Sequence, residues 1–110
     1  MKINPSFGTL KVNNYDFKKN KQPLIRDIQS IEGIKNVYKG HEFDEVMMPM
    51  SDNMIASMCD GYRSTLDKNS CISFRYYQNA YITAQSETEK CIAKALTEKG
   101  YDIDPLIMEL

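Results

Sequence analysis

A single histidine, three cysteines and the lack of any long apolar run limit what this chain can be. Cys59, Cys71 and Cys91 are odd in number and widely spaced, which argues against a secreted disulfide framework and against a C-x-x-C redox or zinc knuckle. Reduced, mostly buried thiols are the expectation. No apolar stretch approaches the roughly 20 residues that span a bilayer, and Met1-Lys2-Ile3-Asn4-Pro5-Ser6-Phe7 lacks a signal peptide's apolar core. A cytoplasmic address without membrane association follows by default. A nucleotide-binding glycine loop, metal-ligand spacing and a catalytic signature are also missing, so no cofactor, metal or catalytic residue is assigned.

The net charge of −1 gives no global reason to expect nucleic acid or an acidic membrane surface as partner. Its distribution is uneven. Residues 1–40 hold eight basic side chains against three acidic ones, and residues 41–110 hold six against twelve. Folding can interleave the two halves, so this asymmetry need not become a surface patch. A length of 110 residues fits one globular domain with one core, spanning 1–110.

What the chain does carry is a repeated pattern of amphipathic helix, glycine and strand candidate. In the first helix Pro23 suits the opening position, where a missing N–H has no intrahelical partner anyway. Leu24, Ile25, Ile28 and Ile31 make one apolar face, and Gly33 supplies the left-handed closing residue. At roughly 1.5–3 kcal/mol per buried aliphatic side chain, a charge at Ile28 should threaten the fold. The second helix runs from Ser86 to Gly100, and Ser86-Glu87-Thr88-Glu89 reads as a capping box in which Glu89 reaches back to the Ser86 N–H. Its acids sit early and Lys94 and Lys99 late, as the helix dipole prefers.

Strand candidates surround these helices. Residues 7–15 alternate at Leu10 and Val12, Ile34 to Lys39 is short and β-leaning, and Gly40-His41 marks a break. A strand ending at Pro49 is expected next. Ser51-Asp52-Asn53 then offers a cap to a helix carrying Met54, Ile55, Met58, Cys59 and Tyr62, weakened near its end by Gly61. Cys71–Tyr77 and Ala80–Ala84 are β-rich runs around Gln78-Asn79, read as a hairpin rather than one bent strand. Past Pro105, Leu106–Leu110 reads as a terminal edge strand.

Assembled, this order predicts an α+β fold of ferredoxin-like type: β–α–β, an insertion at about 42–70, then β–α–β, with an antiparallel sheet and helices on one face. That expectation rests on element order alone. Such a fold hosts enzymes, carriers, RNA binders and regulatory domains alike, so function has to come from a site.

Methionine is the most uneven residue. Five of seven lie between Met47 and Met58, at 47, 48, 50, 54 and 58. Core filling is the ordinary account of such a cluster, an adaptable surface that grips a partner is the second, and a soft-metal site with Cys59 the third. His41, within Gly40-His41-Glu42-Phe43-Asp44-Glu45, is a solvated histidine by default and a general base in a minor alternative. A thiol-imidazole couple would need Cys59 or Cys71 brought to it by the fold. Tyr15, Phe17, Lys18, Lys19 and Lys21 interleave rings with cations, as a single-strand or RNA contact would, and Tyr76, Tyr77 and Tyr81 would add a stacking platform if they faced outward. Glu87, Glu89, Glu98, Asp102 and Asp104 read as the wet side of a helix and a turn.

The leading expectation is a small non-enzymatic interaction or regulatory domain that binds another protein through Met47, Met48, Met50 and Met54 and an exposed sheet edge. Pairing with a second copy is suggested by analogy with similar sandwiches. Nucleic-acid binding through residues 15–21 is the alternative, and a small enzyme or ligand or metal carrier using His41 or the methionines comes after it.

Overall fold

The computed structural model describes residues 6–13, 23–43, 51–76 and 79–108. In chain order the elements are β1 (Ser6–Val12), α1 (Pro23–Gln29), β2 (Asn36–Phe43), α2 (Asp52–Arg63), β3 (Ser70–Tyr76), β4 (Asn79–Thr83), α3 (Ser86–Glu98) and β5 (Ile103–Met108). The strands form one sheet in the order β2-β3-β4-β1-β5. β1 runs antiparallel to β4 and β5, and β3 antiparallel to β4, whereas β2 and β3 are parallel. The α+β class is as expected, but the ferredoxin-like order is not what this sheet shows.

The difference lies in what residues 42–70 do. Within that span α2 connects the parallel neighbours β2 and β3 and covers the sheet face opposite to α1 and α3. Side chains alternate across the strands accordingly. Leu10, Val12, Cys71, Ala80 and Ile82 point to one face, where they pack with Leu24 and Ile28 of α1 and Ile92 and Leu96 of α3. Phe74, Tyr76 and Tyr81 point to the other, against Ile55 and Cys59 of α2. Helices therefore lie on both faces. β3 and β4 are buried on both sides, β4 through the apolar run Ala80-Tyr81-Ile82 and β3 with Ser70, Ser73 and Arg75 among its buried residues.

Local chemistry sets the ends of these elements. α1 stops at Gln29, short of the apolar spacing that continues to Ile31, because the Ser30 hydroxyl donates to the Asp27 carbonyl at 2.6 Å and the chain turns through Ile31 N–H to Ile28 O. Gly33, at φ 91°, belongs to the following turn. α2 opens as predicted, with the Ser51 hydroxyl accepting the Met54 N–H at 3.2 Å. α3 closes in a Schellman arrangement: Tyr101 N–H reaches Leu96 O and Gly100 N–H reaches Thr97 O, both at 3.0 Å, with Gly100 at φ 96°.

Two strand expectations change. Gly40-His41 does not break β2 but holds a bulge, since Lys39 pairs with Ser73 and Glu42 with Arg75, leaving one extra residue on β2. Gly40 is needed there for space, because a Cβ would stand 2.5 Å from the Phe74 ring. The 71–84 segment is the expected hairpin, with Tyr76 opposite Asn79. The terminal edge strand changes too: β5 begins at Ile103 and carries Pro105 within it instead of starting past it, which an outer position tolerates. The expected strand end at Pro49 lies outside the described residues.

Candidate interaction surface

The surface that stands out is the outward side of α2 with the adjoining part of the sheet. α2 buries Ile55, Ala56 and Cys59. The charges of α2 are paired, Asp52 with Lys11 of β1, Asp60 with Arg63 one turn on, and Arg63 also with Glu89 of α3. The Lys11 ammonium donates to both Asp52 oxygens at 3.0 and 3.1 Å, and the Tyr81 hydroxyl donates to Asp52 Oδ1 at 3.2 Å. Arg63 donates to Asp60 Oδ1 at 2.7 Å, to the Ala84 carbonyl at 2.9 Å and to Glu89 Oε1 at 2.7 Å. The rest of the outward half is Asn53, Met54, Ser57, Met58, Gly61 and Ser64, beside the paired but part-exposed carboxylates of Asp52 and Asp60.

Toward β2 this side becomes apolar. Met58 is half-buried and leads to Tyr62, whose ring lies 5.3 Å from that of Phe74. Ile72, half-buried, pairs with Tyr38 of β2, so the two share the α2 face of the sheet. The exposed large apolar side chains among the described residues are Tyr38 at 52%, Met54 at 51% and Tyr62 at 37%. All three lie on this one face. Exposed large apolar side chains gathered on one face mark contact sites.

Arg63 fixes where α2 sits. It passes the end of the sheet to reach Glu89 of α3, which has no solvent exposure. Glu89 Oε1 also accepts the Ala84 N–H at 3.0 Å, so the Ala84 peptide is held on both sides, its N–H by Glu89 and its carbonyl by Arg63. The capping-box reading is thereby corrected. The cap residue of α3 is Gln85, without a side-chain cap bond, and Glu89 serves the buried junction instead of the helix's wet side. Burial pushes the Glu89 carboxyl above the usual range, and the Ala84 N–H and Arg63 draw it back in part. Its Oε2 accepts no bond among the described residues. Glu87, Glu98, Asp102 and Asp104 are exposed, as expected.

The other sequence-derived candidates separate. Met54 stands on the surface described, while Met47, Met48 and Met50 lie outside the described residues, as do Tyr15, Phe17, Lys18, Lys19 and Lys21. Tyr76 and Tyr81 are buried beneath α2 and form no outward stacking platform; Tyr77 is outside the described residues. His41 falls at the bulge of β2. Cys59 and Cys71 are fully buried, and burial pushes their thiols up to about 11 and about 12, leaving both protonated at neutral pH and poor nucleophiles. They sit on opposite faces of the sheet. Among the described residues no three His, Cys, Asp or Glu side chains converge as a metal site, and no helix is long and apolar enough to cross a membrane.

Tyr38, Tyr62 and Gly61 were not legible as surface residues. Tyr62 fits the buried spacing of α2 and Tyr38 a strand, so only the sheet order brings them together. Gly61 was the available signal: it weakens a helix without closing it. No protein-family model, curated protein or solved structure matches the chain.

Proposed function

We propose that this protein acts by binding another protein, without catalysis, through the face formed by α2 and the β2–β3 side of the sheet. The observation that carries the reading is the gathering of the exposed large apolar side chains Met54, Tyr62 and Tyr38 on this one face. Flexible thioether and amphipathic aromatic side chains suit contact with a partner. The matching partner surface is apolar. A reducing, cytoplasmic setting belongs to the same proposal, supported by three free thiols of which two are buried.

The experiment is co-purification from the native cell with Met54→Glu beside the unaltered protein. Met54 is half exposed, so the variant should keep its melting temperature and lose its partner. Retention of every partner by a stably folded variant would refute the reading.

A further inference from the structure

We propose that Met54 is an oxidation site at which a peroxide switches partner binding off: its thioether becomes a sulfoxide, and the partner on the outward face of α2 is released. This switch rests on the proposed reading of that face as a binding surface and adds how it is regulated. α2 carries Met54, Met58 and Tyr62 at i, i+4 and i+8, so the three follow one another along one stripe. Met54 is 51% exposed at one end of it, and Met58 is half-buried in the middle. An exposed thioether is open to peroxide, whereas one enclosed by the fold is shielded.

The fold keeps this side chain apart from its own stability. The Ser51 hydroxyl accepts the Met54 N–H at 3.2 Å, and Asp52 beside it is tied to Lys11 and Tyr81, so the backbone here is held without help from the thioether. Ile55 and Cys59 make the core beneath the helix. An oxygen added at Met54 therefore meets water and leaves α2 in place. Against an apolar partner the same oxygen is buried without a donor, and an unsatisfied polar group of this kind weakens binding about tenfold to a hundredfold. The step is a two-electron oxidation of sulfur. Its lone pair attacks one peroxide oxygen, the S–O bond forms as the O–O bond breaks, and the second oxygen leaves as water with the proton of the first. Two thiols of a methionine sulfoxide reductase restore the thioether, giving a disulfide and water. Cys91 is exposed as well, but on α3, which packs on the opposite face of the sheet.

The test uses the whole chain, unaltered and as Cys91→Ser, which removes the exposed thiol of α3. Each is treated with graded hydrogen peroxide, mapped by peptide mass spectrometry, freed of oxidant and used to capture the partner from native-cell lysate. One oxygen should appear on Met54 before Met58 while the melting temperature holds. Capture by both proteins should fall about tenfold or more, in step with the oxidised fraction of Met54, and return after treatment with methionine sulfoxide reductase. Full capture by protein oxidised at Met54, a loss that follows another residue, or a loss that the reductase does not reverse overturns the proposal. If Met54→Glu loses the partner while protein oxidised at Met54 keeps it, only the switch fails. If Met54→Glu keeps the partner, the binding reading falls and the switch with it.

Discussion

Arg63 and Glu89 meet at 2.7 Å across the end of the sheet, one from the helix on the first face and the other from a helix on the second. The pair locks the two helical layers to each other. Side-chain exposure is 17% for Arg63 and 0% for Glu89. Breaking such a pair from one side leaves an unpaired buried charge, which costs about 3–5 kcal/mol. Arg63→Met should therefore lower stability by that order in urea denaturation, and Glu89→Gln, which keeps an acceptor for Ala84 N–H, should cost much less. Equal losses would show that the charge of Glu89 does not matter.

The pH dependence follows from the direction of the Glu89 shift. Its folded pKa is raised above the unfolded value of about 4.3, so the folded state holds the proton more tightly. The stabilising contribution of this group is complete below the unfolded pKa and is lost as pH rises through the folded one. Stability measured from acid to neutral pH should fall more in the unaltered protein than in Glu89→Gln, and parallel curves would contradict the assignment.

Gly40 and Phe74 make a second close relationship. Phe74 is 2% exposed and cannot swing away from a Cβ that would stand 2.5 Å from its ring. Overpacking of this kind costs about 1–3 kcal/mol. Gly40→Ala should be destabilised by that amount in denaturant unfolding, and Phe74→Leu in the same chain should recover part of it. Additive losses would mean that the two positions do not touch.

Thiol accessibility checks the layer assignment. Cys91 is exposed on α3, whereas Cys59 and Cys71 lie buried on opposite faces of the sheet. A thiol-specific reagent should modify Cys91 alone in the native protein and all three cysteines after unfolding. Rapid native reaction at Cys59 would place α2 off the sheet.

The parts of this fold legible in the sequence are those governed by local chemistry. Ser51 announces the start of α2, Gly100 the end of α3, and the runs before and after Gln78-Asn79 the hairpin. What escaped were relationships between distant residues. Glu89 looks like the partner in a cap because Ser86 stands three residues before it, and only the approach of Arg63 from another helix reveals its buried role. The α2 segment looks like an insertion because its apolar spacing does not say which surface it covers. A hint lay in Ala80–Ala84, whose apolar residues do not alternate with polar ones as a one-sided sheet would require. The candidate site was legible in only one residue, Met54, since Tyr38 and Tyr62 join it through sheet order and not through sequence.

The most direct measurement is site-specific photo-crosslinking inside the cell that makes the protein, with the photoreactive residue at Ser57 on the outward side of α2 and, as control, at Lys94 on the exposed side of α3. A discrete protein adduct is expected from position 57 and none from position 94. Equal adducts from both positions, or none from position 57, would mean that the outward face of α2 is not where this protein meets its partner.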